Sequence, residues 1–169
     1  MKQKWLLGFT IFGIIWCIVL GVFGQYFYEW SGRNTLVGWF FAKDESVWQH
    51  MKLLFFPFLV YSILTLLFLK DKFHAVYLGS ALSMVIALFF IPVAYRSYVW
   101  MAGRSIMWLD VTIFIISTVI ACGGTALYAH RHDEEENGIS MVDDVFAAVI
   151  YILLALTFIM TSGGNPGML

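Results

Sequence analysis

The stretch WLLGFTIFGIIWCIVLGVFGQYFY, residues 5–28, contains no charged side chain. A helix needs about 20 largely apolar residues to cross the hydrocarbon core of a bilayer, and this stretch is long enough. It follows Lys2 and Lys4, as the apolar part of a signal peptide would, but no Ala-x-Ala-like cleavage site comes after it. The stretch therefore predicts an uncleaved first transmembrane helix.

Four further apolar runs follow, and the composition of the chain agrees with them. Apolar residues make up 61 % of the chain and charged residues 12 %, whereas soluble domains average about 45–50 % and 25 %. So little polar surface cannot cover a soluble fold of this size, so lipid must cover it. We predict an all-α integral membrane bundle of about five transmembrane helices, forming one domain over residues 1–169, with spans near 5–28, 47–69, 73–95, 106–128 and 143–161.

The charges and cysteines narrow the choice of partners. The net charge is −1, so no overall field favours nucleic acid as a partner. Cys17 and Cys122 each lie deep in an apolar run, where thiols behave as small hydrophobic groups, so a disulfide framework is not expected. The expected partners are the lipid bilayer and either a second copy of the chain or another membrane subunit.

Two patterns inside the spans predict helix geometry. Pro57 lies within the second span and predicts a kink or a change of helix direction. Gly79, Ser83 and Ala87 follow one another at four-residue spacing in the third span. Such a stripe of small residues would let a neighbouring helix approach closely.

The orientation in the membrane rests on the basic residues near the span ends. With the N terminus inside, Lys and Arg divide equally between the two sides, which is a tie under the positive-inside rule. Leaving out Lys52, which could be embedded in the second helix, favours an N terminus in the cytoplasm. The expected location is the plasma membrane. The two sets are Lys2, Lys4, Lys70, Lys72 and Arg131 against Arg33, Lys43, Lys52, Arg96 and Arg104.

The connection between the first two spans is predicted to be a long interfacial segment, because an apolar patch at residues 36–41 lies between two charged stretches. Long ordered connections of this kind are often functional. We predict a polar pocket at this membrane face, with His50 as a ligand or base and carboxylates as its partners. Its candidate residues on this connection are Glu29, Asp44, Glu45, Ser46 and His50.

Each of these residues also has a simpler structural interpretation. Ser46 and Gln49 fit the capping-box pattern, in which a serine begins a helix and a glutamine three residues later returns to it. Ser46 and the two acids before it, Asp44 and Glu45, would then simply start the second helix. His50 lies one turn into that helix, where it could be an interfacial side chain without a specific role. The alternative for Glu29 is an ion pair with one of two nearby basic residues, Arg33 or Lys52.

Asp110 completes the predicted binding site, because a carboxylate one turn into a span is costly unless it is paired, protonated or facing water. The simpler interpretation is an acid at a helix N terminus, stabilised by the helix dipole. If Asp110 has a charged partner, span parity allows three basic residues on the same membrane face: Arg104, Arg96 and Lys52.

A second polar cluster, His130-Arg131-His132, precedes four acids at residues 133–136. The spacing of these side chains matches neither a zinc site nor a calcium loop. We therefore predict a solvated loop and no metal site there, and the sequence does not indicate any cofactor.

Three segments carry a resemblance to a known family: YEWSG at residues 28–32, LVG at 36–38 and ESVWQHMKLLFFP at 45–57. Together they resemble an uncharacterised domain-of-unknown-function family of small bacterial multi-pass membrane proteins, whose members tend to read EWSG and then ESVWEHLKLLFFP. The resemblance covers the first two spans closely and the next two loosely, and it implies a multi-pass fold without an activity. Gln49 replaces a glutamate that the family favours, Gln25 replaces a common histidine, and the residues at 161–167 replace a proline-rich ending.

A weaker resemblance is to the membrane hydrolase superfamily that includes the alkaline ceramidases. Ser46 and His50 have the Ser-x-x-x-His spacing that begins the zinc site of that superfamily. The later histidine pair is missing, since His130 and His132 are two residues apart in an acidic loop. Without three ligands, a zinc-hydroxide mechanism has no support from the sequence.

Three functions are compatible with these features. The first is a small membrane protein with a polar pocket at one face, acting as a binding, sensing or accessory subunit. The second is an intramembrane hydrolase acting on lipid with His50, Glu45 and Asp110, and it requires these groups to lie close together. The third is a transporter or channel subunit, for which broken helices or acids at the membrane midplane are expected.

Overall fold

The computed structural model describes residues 2–43, 46–69, 73, 75–132 and 141–162. This part of the chain is helical, and it contains no strand. Its six helices are α1 (Lys2–Trp30), α2 (Thr35–Phe40), α3 (Val47–Leu69), α4 (Val76–Ala102), α5 (Met107–Arg131) and α6 (Met141–Ser162).

All of these helices except the short α2 are long and apolar enough to cross a membrane. The prediction of an all-α bundle with about five transmembrane helices is therefore confirmed. The stretches that meet this criterion are Gln3–Gly24, Val47–Leu69, Val76–Ala102, Met107–Arg131 and Val142–Ser162.

Successive long helices run in opposite directions, so their ends meet at two faces of the bundle. Contacts between the start of α1 and the end of α3, and between the start of α4 and the end of α5, define the N-terminal face. At the other face, α2 and the start of α3 contact the end of α6, while the end of α4 meets the start of α5. We call this second end the α2 face.

Close packing of α4 on α5 confirms the predicted role of the small-residue stripe. A Cβ atom added at Gly79 would lie 2.8 Å from the Tyr128 ring, and one added at Gly124 would lie 2.6 Å from the Ser83 hydroxyl. Ala87 is fully buried on the same helix. Small side chains are needed here because helices in lipid associate through close van der Waals packing.

A buried hydroxyl network joins α6 to the centre of the bundle. The Ser62 hydroxyl of α3 donates to the Tyr151 hydroxyl of α6 at 2.8 Å, and Tyr151 donates to Ser80 of α4 at 2.9 Å. Ser80 lies 3.2 Å from Ser62, which closes the triangle. Polar side chains that bond across helices in this way hold a membrane bundle together.

The proline inside α3 does not end the helix, which continues from Val47 to Leu69. Proline lacks an N–H group, so the Leu53 carbonyl cannot receive its usual helical hydrogen bond from Pro57. The Pro57 carbonyl accepts a hydrogen bond from the Trp16 indole of α1 at 3.2 Å. The proline is thus part of the contact between α1 and α3.

Candidate functional site

A tight turn directs the chain from the end of α1 into α2. Gly32 and Arg33 both have left-handed backbone conformations, with φ of 70° and 62°. The Arg33 N–H donates to the Tyr28 carbonyl at 3.0 Å, which ends α1. Asn34 then begins α2, because its side-chain oxygen accepts a hydrogen bond from the Leu36 N–H at 2.9 Å. This turn places α2 against α6.

Ser46 begins α3 as a helix cap, which is the first half of the predicted capping box. The Ser46 hydroxyl oxygen accepts from the Gln49 N–H at 3.4 Å, and the Ser46 carbonyl accepts from the His50 N–H at 3.1 Å. The side-chain oxygen of Gln49 accepts from the Lys43 N–H at 3.4 Å, on the segment that enters the helix. The cap fixes the position of the first turn of α3, which carries His50.

The ring of His50 has a defined tautomer. Its Nδ1 atom lies 2.9 Å from the Ser46 carbonyl oxygen. A carbonyl oxygen only accepts, so Nδ1 must carry the proton and donate it. In the neutral ring, Nε2 is then an acceptor, and no partner for it is seen in the described part of the chain.

Asp110 lies in the first turn of α5, at the positive end of the helix dipole. The Tyr98 hydroxyl of α4 donates a hydrogen bond to its carboxylate. The Tyr98 oxygen in turn accepts from the Ile106 N–H at 3.4 Å, at the residue that precedes α5. A phenol on the neighbouring helix therefore holds the carboxylate in place.

The basic residues considered as partners for Asp110 do not pair with it. Arg96 and Arg104 are exposed, and no ion pair joins either of them to Asp110 among the described residues. The Lys52 ammonium donates to the Gly38 carbonyl and to the Ser162 hydroxyl. Tyr98 reaches the carboxylate instead, across the tight α4–α5 turn, which Gly103 forms with a φ of 71°.

His50 and Asp110 line one small cleft at the α2 face, between α3, α4 and α5. Tyr95 of α4 lies there with them, and its ring contacts the Tyr98 ring edge to face at 5.4 Å. The cleft has a volume of about 20 Å³, which is enough room for one water molecule. The remaining wall is apolar and consists of Val47, Ile91, Ile113 and Phe114.

A second polar cluster on this face holds the end of α6, and we call it the lysine clamp (Gly38, Lys43, Lys52 and Ser162). The ammonium of Lys52 donates to the Gly38 carbonyl at 2.9 Å and to the Ser162 hydroxyl at 2.8 Å. The ammonium of Lys43 donates to the Ser162 carbonyl at 2.7 Å. Both cations sit at the negative end of the α6 dipole, where positive charge is stabilising.

Among the described residues, Glu29 does not line the cleft. Glu29 is exposed near the end of α1, and no ion pair joins it to Arg33 or Lys52 among the described residues. Glu45 and Asp44 lie outside the described residues. Of the predicted binding residues, the structure thus brings His50 and Asp110 together, with Ser46 in contact with His50.

The sequence did not reveal three residues of this face. Tyr95 and Tyr98 lie near the end of the third apolar run, where tyrosine is typical of the membrane interface, so nothing marked them as partners of an acid. Ser162 lies 110 positions from Lys52, and no local pattern connects them. The only feature of the sequence that pointed to such a partner was the Asp110 carboxylate, which needs a hydrogen-bond donor.

The His130–His132 segment lies at the N-terminal face, at the end of α5. His130 is exposed, and the acids at 133–136 are outside the described residues. In the part of the chain that the structure describes, no three His, Cys, Asp or Glu side chains lie close enough to hold a metal ion.

Comparison with known proteins identifies one family. The model of a family of unknown function, DUF6512, matches residues 1–166, so the chain belongs to this family. The predicted membership of a family of unknown function is thereby confirmed. No curated protein and no solved structure matches the chain.

Proposed function

We propose that this member of the DUF6512 family is a binding, sensing or accessory subunit of a membrane, with its site in the cleft at the α2 face. The observation that carries the proposal is that His50 and Asp110, which are far apart in the sequence, line the same cleft. A polar site enclosed by helices at one membrane face is a functional arrangement by default, because polar side chains there are otherwise costly.

The chemistry of the cleft favours a small cation with N–H donors. The Asp110 carboxylate accepts hydrogen bonds, and the His50 ring retains one acceptor nitrogen once Nδ1 is bound to Ser46. The Tyr95 ring adds a surface that attracts cations. Since the cleft accommodates one group of the size of water, an ammonium ion or a terminal amine is the ligand class that fits.

Thermal unfolding of the detergent-solubilised protein, followed by tryptophan fluorescence, tests this proposal. Ammonium chloride should raise the unfolding temperature above its value in potassium chloride at the same concentration, because a ligand that binds only the folded state stabilises it. Potassium has the same charge but no donor hydrogen. Asp110→Asn should remove the difference, and His50→Gln should reduce it.

A matched control is His130→Gln, which changes an exposed histidine at the opposite face. This variant should respond to ammonium as the unchanged protein does. The proposal fails if ammonium and potassium act alike on the unchanged protein, or if Asp110→Asn keeps the full response.

A lipid-directed hydrolase is the second candidate, and it is favoured by the same proximity of a histidine and a carboxylate near a membrane face. His50 would take a proton from water as the water attacks an acyl carbon, and would return it to the alcohol or amine that leaves. Release of fatty acid from phospholipid or ceramide vesicles, abolished by His50→Gln, would establish this activity in place of simple binding. A transporter or channel role is a third proposal, and no contact described above favours it.

The cellular setting is also part of the proposal. We place the chain in the plasma membrane of a bacterium with the N terminus in the cytoplasm, as a homo-oligomer or with a partner membrane subunit. Reporter fusions at the N terminus and after residue 162 would test this orientation, because an odd number of spans puts the two ends on opposite sides. Signals from the same side would contradict the five spans, and an N-terminal signal from the outer side would contradict the orientation.

A further inference from the structure

A groove at the N-terminal face runs between the first turns of α1 and the last turns of α3. Its volume is about 510 Å³, within the range of about 300–1,000 Å³ that is typical of sites for small organic ligands. It is lined by Trp5, Gly8, Phe9 and Phe12 of α1 and by Leu64 and Phe68 of α3, and Lys4 lies at the end nearest the chain terminus.

The groove is open because glycine lies where a side chain would fill it. A Cβ atom added at Gly8 would meet nothing within 4 Å. The rings on either side remain accessible, with Phe12 43 % and Phe68 60 % exposed. Elsewhere on α1 the glycines are packed: a Cβ atom added at Gly13 would lie 2.4 Å from the Tyr61 ring.

Charge divides the groove into two parts. Lys4 is exposed, and no ion pair of its ammonium is seen among the described residues. From Lys4 to Phe12 the helix rises by about 12 Å, and over this length the named groove-lining residues are apolar or glycine. The groove thus offers one cation at the membrane face followed by an apolar channel directed toward the membrane interior.

We propose that this groove binds an anionic phospholipid, with its phosphate at Lys4 and one acyl chain along Gly8 between Phe12 and Phe68. Basic residues near a membrane surface attract anionic headgroups, and an acyl chain gains free energy from apolar contact along the groove. A helix of a second copy would instead place its apolar side chains around an uncompensated lysine. The site lies at the face opposite the His50–Asp110 cleft and is independent of it.

Native mass spectrometry of the purified full chain, titrated with phosphatidylglycerol or phosphatidylcholine of identical acyl chains, tests the proposal. The unchanged protein should bind phosphatidylglycerol about fivefold more tightly, the value of one lysine near a membrane surface. Lys4→Gln should abolish this preference. Gly8→Leu should weaken the binding of both lipids at least tenfold, because its side chain fills the groove.

The matched control is Gly123→Leu on α5, since a Cβ atom added there also meets nothing within 4 Å. It should bind both lipids as the unchanged protein does. Soluble glycerol phosphate should not compete, because it has no acyl chain to place in the groove.

The proposal is overturned by equal affinity of the unchanged protein for the two lipids, by unchanged lipid binding in Gly8→Leu, or by competition from glycerol phosphate. A dimer that Gly8→Leu dissociates while lipid binding persists would also overturn it, and would identify a second copy as the occupant. If Gly8→Leu does not fold, Lys4→Gln decides: a retained preference for phosphatidylglycerol overturns the proposal and a lost one supports it.

Discussion

At the α2 face the chain binds its own polar groups, whereas at the N-terminal face it leaves an apolar groove between α1 and α3 open. The lysine clamp joins α2, the start of α3 and the end of α6, and it contains a lysine that is fully buried. No such hydrogen bonds close the groove among the described residues. Only 28 % of the apolar stretch of α1 is buried, against 56 % for that of α3.

The difference between the two faces follows from what lipid can and cannot offer to apolar and polar side chains. Lipid covers apolar side chains at no cost, so α1 can remain lightly packed along one side. The hydrocarbon of lipid cannot satisfy a carbonyl, a carboxylate or an ammonium, so each such group within the hydrocarbon core must find its partner within the chain or in water. The polar groups described at the α2 face therefore bind one another within the chain.

The largest effect is expected when the lysine clamp is broken. Lys52→Met keeps the length of the side chain but removes the donor to the Gly38 carbonyl and to the Ser162 hydroxyl. We expect the free energy of unfolding to fall by about 2–4 kcal/mol, because buried acceptors lose hydrogen bonds to a charged group. Unfolding in detergent, followed by tryptophan fluorescence, measures the change.

Lys43→Met is the matched control, since Lys43 is only half-buried and its ammonium donates one hydrogen bond, to the Ser162 carbonyl. Its cost should be smaller, about 0.5–1.5 kcal/mol. If Lys52→Met were as stable as the unchanged protein, the α2 face would be held by packing rather than by its hydrogen bonds, as happens for some buried charges.

Much of the fold could be predicted because hydropathy alone determines which helices can span a membrane. The ends of the helices were harder to predict from the sequence. The third apolar run ends near residue 95, but α4 continues to Ala102, where Gly103 adopts a left-handed conformation that stops it. The short helix α2 depends on the Asn34 cap, whose effect could not be separated from that of an ordinary polar loop.

The site was only partly predictable, for a different reason. The alternation of the spans indicates that His50 and Asp110 share a face, but the neighbours of each helix depend on packing over the whole bundle. Tyr98 and Ser162 are partners of Asp110 and Lys52 because of that packing. No spacing in the sequence encodes a contact between residues on α3 and α6.

Gly13 and Gly8 of α1 allow a packed position to be compared with an open one on the same helix. Gly13→Ala should lower the free energy of unfolding by about 1–3 kcal/mol, because the added methyl group would overlap the buried Tyr61 ring. Gly8→Ala should instead raise it by up to about 1 kcal/mol, since alanine favours the helix and nothing obstructs it. The same unfolding measurement applies to both variants, and equal losses would show that the groove is closed in solution.

The smallest effect is expected at the cleft itself, where Tyr98→Phe removes the phenol that donates to Asp110. The carboxylate is only half-buried, so water can partly replace the donor, and we expect a loss of about 1 kcal/mol. In an Asp110→Ala background the same substitution should cost almost nothing, because the interaction is already absent. A full loss in that background would mean that the Tyr98 hydroxyl stabilises the turn by accepting from the Ile106 N–H and not by donating to the carboxylate. The carboxylate would then depend on the helix dipole for its position.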